Sequence, residues 1–509
     1  MNVLHPKGVK LVYIRRTIIY YIIVRNMEIK YRNIGPNKWQ LEKQPAMRVE
    51  AVFYAKEEML EDLGQDLSLA QLAEAASLPK VVSPVIGMPD IHQGFGLPIG
   101  GVMATHGLIS VGAVGMDINC GVRLLTSKLT FDPKEINTER LRLLINKITR
   151  EIPIGVGRER RALPSEINFE NVCLNGAAAI INPGFGTQDD LTSIEEGGKL
   201  AGARLEAITP KAIKRARKQI GTLGSGNHFI EIQRLAKIYD DSLAKSWGLF
   251  ENQICLMIHS GSRALGHQTC TDYTEIFWGA EDKYQIQVPR KGLAALPIET
   301  KEGQDYFSAM AASVNFAFAN RQLMTFFVRQ VFENIFGAKL SLLYDVAHNI
   351  AKWEPFDGVH PEQSRGTQGK PSSIKQLLIH RKGATRALPA NHPLLPEKFK
   401  NTGQPAIVPG SMGTASYVLV GTEKASETFF SVNHGAGRKM SRTEAIRSIN
   451  KEEFDASMGQ VIHNLPYQKV VDEAPGAYKD IDLVVETLVE AGITKKVAKL
   501  VPLAVIKGD

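Results

Sequence analysis

The chain has 509 residues, of which 44% are hydrophobic and 22% charged. This is the balance of a globular protein with ample length for a sizeable core, and it excludes a collagen-like, disulfide-scaffolded or intrinsically disordered chain. Lysine and arginine exceed aspartate and glutamate by 61 to 53, a net charge of +8 that suits a polyanionic partner such as nucleic acid and equally suits a protein with nothing bound.

From the N-terminus, Val9 to Val24 (VKLVYIRRTIIYYIIV) is apolar but split by Arg15 and Arg16. Its unbroken part, Thr17 to Val24, is shorter than the ~20 residues a spanning helix needs. No small-residue cleavage site follows, so it does not read as a secretory signal. Residues 1–26 read as an N-terminal extension, either an extra strand or a stretch upstream of a start at Met27, and residues 27–509 as one domain. Cys120, Cys173, Cys255 and Cys270 stand far apart with no CxxC pair. That argues for a reducing compartment and, with no other membrane-like stretch, for a cytoplasmic protein.

Leu67 to Ala76 reads as a short helix. Val81 to Arg123 is rich in Gly, Val and Ile and reads as strands joined by glycine turns. Pro133 to Arg150 predicts an amphipathic helix with Pro133 in its first turn. Glu195 to Gln219 predicts another, basic towards its end. Strand-like runs follow at His228–Ile232, Ile254–His259, Leu340–Ala347, Ile374–His380, Ala406–Val408 and Phe429–Asn433, with a long helix over Gly303–Phe336 between them. Strands and helices do not alternate regularly, so neither a doubly wound fold nor a barrel is expected. The expectation is one large mixed α/β (α+β) domain, with central β-sheets flanked by helices.

Several of these runs end in a single His, Asp or Cys beside Gly, Ser or Asn. They are Met88-Pro89-Asp90-Ile91-His92, Gly115-Met116-Asp117-Ile118-Asn119-Cys120-Gly121, Gly224-Ser225-Gly226-Asn227-His228, His259-Ser260-Gly261-Ser262-Arg263, Asp345-Val346-Ala347-His348-Asn349 and His434-Gly435-Ala436-Gly437-Arg438. Loops held at strand ends are where sites are built. Each taken alone has a plainer reading, such as a structural histidine or a turn aspartate beside a buried thiol. Together, Asp117, Cys120, His228, His259 and His348 supply one carboxylate, one thiolate and three imidazoles. That is enough for two divalent metals if the thiolate bridges them, and paired metals suit phosphoryl transfer. The glycines at 224–228, 409–413 and 435–438 leave backbone N–H groups free to approach phosphate oxygens, although each could be only a tight turn. His380-Arg381-Lys382-Gly383-Ala384-Thr385-Arg386 reads as a basic loop suited to phosphates, or as a solvated charge run.

The segments GMDINCGVRLL, GSGNHFIEI, HSGSRALG, DVAHN, HRKGATRA, PGSMGTASY, HGAGRKMSR and DEAPGAYKDID together resemble, in order, the RtcB family of RNA-splicing ligases, from about Met88 onward. The resemblance implies a single RtcB-like catalytic domain, a GTP- and manganese-dependent ligase. It would join RNA 2′,3′-cyclic phosphate or 3′-phosphate ends to 5′-hydroxyl ends through a GMP–histidine intermediate, in tRNA splicing or RNA repair. It implies two manganese ions on Asp117, Cys120, His228, His259 and His348, with Cys120 bridging, and GMP carried on His434. It places Asn227, Lys382, Ser411, Arg438 and Arg442 at phosphates and Glu231, Ser416, Tyr478 and Lys507 at guanine, with Asp90 close to the metals. The implied partners are RNA (tRNA halves or broken ends), GTP and an archease activator. Two features depart from the family pattern: the stretch before Met27, and an Asp509 that follows the usual terminal Lys-Gly.

Two other readings compete. A dinuclear phosphoesterase would use the metals and ligate nothing, but needs no nucleotidylated histidine. A non-catalytic RNA-binding protein would use the metals only for stability, but aromatics are only 7% of the chain and no stacking platform is visible.

Overall fold

Two mixed β-sheets and one central helix organise the computed structural model, which describes residues 29–64, 66–356 and 375–509. The reading of residues 1–26 lies outside these residues. Among the described residues, the first sheet has seven strands in the order Tyr31–Gly35, Lys38–Leu41, Ala51–Tyr54, Val81–His92, Ile99–Thr105, Lys375–Lys382 and Asn349–Phe356. The second runs Ser341–Ala347, Gly121–Thr130, Gln253–Ser260, Phe229–Ile238, Thr494–Lys507, Ser416–Gly421 and Ala406–Val408, with Ile462–His463 as an eighth strand pairing alongside Thr494–Lys507. The expected mixed α/β architecture with sheets flanked by helices is what forms.

The register of the second sheet decides where the chemistry sits. Ala347 pairs with Gly121, Gly121 with Ser260, His259 with Phe229, and Phe229 with Lys507. In these antiparallel pairs, strand starts lie beside strand ends, so residues distant in sequence share one rim. Cys120, His228, His259, His348 and Lys507 therefore stand along a single edge.

The helix Lys301–Phe336 backs this sheet. Thr300 caps it, accepting from Gly303 N at 3.1 Å, and Gly337 ends it at φ 67°, where glycine carries no Cβ penalty. Ala309 to Thr325 is buried without a break. Burying Phe316, Phe318 and Phe332 contributes roughly 1.5–3 kcal/mol each. Within this apolar stretch Arg321 is also wholly buried, and a buried guanidinium must find partners.

Three sequence expectations need correction. The helix expected from Pro133 begins at Thr138, because Asn137 caps it by accepting from Arg140 N at 3.0 Å. The helix expected over Glu195–Gln219 is broken into turns at Glu195–Gly198 and Leu205–Ala207 and a short helix Pro210–Ala216. Gly197, Gly198 and Gly202 all take positive φ, and Thr209-Pro210 forms a fresh helix start. His380 to Arg386 is not a basic loop. It lies in the strands Lys375–Lys382 and Ala384–Arg386 and is buried. Arg381 forms an ion pair with Glu354 at 2.6 Å, and Arg386 with Glu196 at 2.6 Å.

Candidate active site

The rim of the second sheet opens into a cavity of about 340 Å³, walled on its other side by the ends of Val81–His92 and Lys375–Lys382 and by the loop His434–Arg438. Of the residues singled out from the sequence, Asp117, Cys120, Asn227, His259, His348, Lys382, Ser411, His434, Arg438, Arg442, Tyr478 and Lys507 line it. His228 is packed just behind, and Glu231 and Ser416 lie deeper, joined through Gln233 Nε2, which donates to both side chains.

The expected metal donors converge. His228 Nε2 stands 2.7 Å from Asp117 Oδ2 and 3.5 Å from Cys120 Sγ, and His259 Nε2 stands 3.1 Å from Cys120 Sγ. Ligand atoms of Asp117, Cys120 and His228 all lie within 4.8 Å of one another. The His348 ring centroid lies 5.7 Å from that of His259. Its Nδ1 is held by Thr385 Oγ1 at 2.8 Å, while its Nε2 is buried with no hydrogen-bond partner among the described residues. Burial pushes all three imidazoles below their ordinary range, against the pull of Asp117 in the case of His228, so they are neutral rings with lone pairs to offer. Asp117, Cys120 and His228 lie close enough to share a divalent metal, with His259 beside the thiol and His348 beside His259, a donor set of carboxylate, thiol and imidazole that suits such an ion. Cys120 Sγ lies within 3.5 Å of a ring nitrogen on two of the histidines, His228 and His259.

The backbone of this cluster is tied down from behind. Arg321 Nη1 donates to Asn119 O and to Ser260 O, each at 2.9 Å, and its Nη2 pairs with Asp345 at 2.7 Å. Those positions adjoin Cys120, adjoin His259 and lie on the strand leading to His348. Arg123 holds the other side of Asp345 at 2.7 Å. Sequence reasoning passed over Arg321, although the signal was present: it is the first charge after the uncharged run Tyr306–Asn320.

Asp90 belongs to His434 rather than to the donor cluster. Its Oδ2 accepts from His434 Nδ1 at 2.6 Å and from the backbone N–H of His434 at 3.0 Å. Gly437 lets the loop pack so closely, since a Cβ there would lie 2.2 Å from Asp90 O. The Nδ1 proton is thereby committed to the carboxylate, and Nε2 is left with the lone pair.

Glu473, not singled out from the sequence, gathers the opposite wall. Its carboxylate accepts from Lys507 Nζ at 3.2 Å, Tyr478 OH at 2.5 Å and Arg438 Nη1 at 3.2 Å, and Arg442 Nη2 lies 3.6 Å away. Arg438 also lies over the Tyr478 ring, 5.0 Å from its centroid. The departure at Asp509 thus leaves Lys507 inside the site. Lys382 is placed differently from a free phosphate contact. Its Nζ donates to the carbonyls of Phe95, Leu97 (2.9 Å) and Gly112 (3.1 Å), and burial pushes its ammonium down to about 7. Glu231 is pushed up to about 8 by burial.

A buried donor cluster suited to divalent metal, beside a histidine oriented by a carboxylate and a wall of guanidinium and ammonium groups, has the chemical make-up that phosphoryl-group chemistry uses. The family model described as tRNA-splicing ligase RtcB matches residues 71–508, and the chain belongs to that family. It is 42% identical to the tRNA-splicing ligase RtcB of Thermococcus kodakarensis over 493 residues, covering 94% of this chain and 99% of that one. It is 43% identical to the protein of the same name from Archaeoglobus fulgidus over 501 residues, covering 95% and 100%. The RNA-splicing ligase RtcB of Mycobacterium bovis is 43% identical over 448 residues, covering 86% and 100%.

Proposed function

We propose that this chain is an RNA ligase that joins 3′-phosphate or 2′,3′-cyclic phosphate ends to 5′-hydroxyl ends, using GTP and manganese, in tRNA splicing or RNA repair. Family membership supports RNA ligation; the observation that supports the guanylyl-transfer chemistry is the Asp90–His434 pair. With Nδ1–H held by Asp90, His434 Nε2 can attack the α-phosphorus of GTP, forming a phosphoramidate as pyrophosphate leaves. GMP then passes to the RNA 3′-phosphate, the 5′-hydroxyl attacks the activated phosphorus, and GMP departs.

The chain's own residues divide the work. Asp117, Cys120, His228, His259 and His348 would hold two manganese ions, which when bound supply charge neutralisation for the phosphates. Arg438 and Arg442 stand at the cavity wall to neutralise phosphate oxygens, aided by Asn227 and Ser411. Tyr478, Lys507, Glu231 and Ser416 form the guanine end of the site. RNA is the macromolecular substrate, and an archease activator is part of this reading. Among the described residues no helix is long and apolar enough to cross a membrane.

The test is incubation with α-labelled GTP and manganese followed by denaturing electrophoresis. The wild type should acquire one acid-labile GMP, and His434→Ala should acquire none while keeping its fold and sealing RNA that carries a preformed 3′-guanylylated end. A wild type that stays unlabelled yet hydrolyses cyclic ends would establish the phosphoesterase instead.

A further inference from the structure

His92 lines the same cavity and belongs neither to the donor cluster nor to the pair that orients His434. It ends the strand Val81–His92, two residues beyond Asp90. Its ring lies beside that of His434, with centroids 6.5 Å apart and planes tilted by 27°. His92 Nδ1 is 2.9 Å from the backbone oxygen of Asp90. A carbonyl oxygen only accepts, so Nδ1 carries the proton and Nε2 the lone pair. Among the described residues no protein group bonds that Nε2. Asp90 thus fixes two neighbouring imidazoles at once: its carboxylate sets the tautomer of His434 and its carbonyl sets that of His92. Both rings are left with an unprotonated Nε2 in one cavity, although the chemistry needs only one nucleophile.

The remaining need in the reaction is a proton acceptor. Sealing requires the 5′-hydroxyl to lose its proton as its oxygen attacks. We infer that His92 Nε2 receives the hydrogen bond of the incoming 5′-hydroxyl and takes its proton in the sealing step. This rests on the guanylyl-transfer reading above. In that step the new O–P bond forms at the RNA 3′-phosphate, the bond from that phosphorus to the oxygen bridging it to GMP breaks, and GMP leaves with the electron pair. The hydroxyl proton goes to His92.

The groups facing His92 are Asp90, His434 and Lys479. Burial pushes the free ring down to about 3, so it is an unprotonated acceptor throughout the working range. Two effects raise its competence when substrate arrives. A hydroxyl grows far more acidic as its oxygen bonds to phosphorus, so transfer comes late. The phosphates beside the ring also favour its charged form.

The experiment separates the two half-reactions in the full-length protein with manganese. His92→Asn keeps an amide to donate to the Asp90 carbonyl but has no ring nitrogen at the Nε2 position. It should label with GTP at close to the wild-type rate. With RNA already carrying a 3′-guanylylated end, its sealing rate should fall by about 10²-fold or more, the usual loss for a removed general base. In His92→Gly, free imidazole added to the buffer should restore sealing. Wild-type sealing by His92→Asn would overturn the assignment. So would loss of labelling in a folded His92→Asn, which would make His92 a support for His434. A wild type that does not label would instead bring down the guanylyl-transfer reading, and this inference with it.

Discussion

Asp90 grips His434 at two points with one oxygen: Oδ2 accepts from Nδ1 at 2.6 Å and from the backbone N–H at 3.0 Å. The carboxylate thus sets both the tautomer of the ring and the path of the chain carrying it. Asp90→Ala should lower the initial rate of GMP incorporation by about 10²-fold or more, the scale of losing an oriented acid–base partner. Bound metal, measured by calorimetry, should change little, since Asp90 does not touch the donor cluster. Equal loss of metal and labelling would show that the carboxylate serves the metals instead.

Cys120 contacts two of the three clustered histidines, so its loss should be felt at more than one metal position. Cys120→Ala is expected to bind fewer than two manganese ions in a calorimetric titration and to neither label nor ligate. Normal two-ion binding by this variant would remove the bridging role.

Arg386 behaves as part of the interior. It is buried against Glu195, Glu196 and Glu354. Removing one partner of a buried ion network costs about 3–5 kcal/mol. Arg386→Gln should therefore lower the unfolding temperature, while the salt dependence of RNA binding keeps its slope, because no phosphate contact is lost. A reduced slope with unchanged stability would restore the phosphate-binding role read from the sequence.

Glu231 supplies a pH signature. Burial raises its carboxyl from 4.5 to about 8 in the folded protein. Between those values the folded state holds a proton that the unfolded chain has released, so this contribution to stability is full below pH 4.5 and is lost as pH rises through about 8. Glu231→Gln should flatten that part of the stability–pH curve. In the wild type, GTP affinity should rise towards pH 8 if the ionised carboxylate is what accepts from guanine. Parallel curves for wild type and variant would exclude it.

The parts of the site that sequence made legible are those where one polar residue interrupts an apolar strand end. Asp117, Cys120, His228, His259, His348 and His434 all carry that signature, and all lie at one cavity, with His228 just behind its wall. Arg386 misled because four basic residues in seven look like a loop, and nothing local reveals the glutamates at 195, 196 and 354 that pair with Arg381 and Arg386. The bond of Asp90 to His434 spans 344 residues, so nothing local in the sequence announces it. Glu473 escaped notice for the same reason: its partners Lys507 and Arg438 come from other segments. The false helix over Glu195–Gln219 is a local error, in which helix-forming residues outweighed three glycines whose positive φ breaks it.

The strand Thr494–Lys507 lies inside its sheet, between Phe229–Ile238 and Ser416–Gly421. Among the described residues it is the seam that joins two parts of the sheet otherwise unconnected by ladder hydrogen bonds. A nick or premature stop ahead of residue 494 would therefore do more than trim a periphery. It would expose two facing edges, each with a row of unpaired N–H and C=O groups, the kind of surface through which chains adhere to one another. Shortened forms of this protein should accumulate as aggregates rather than as soluble, inactive monomers.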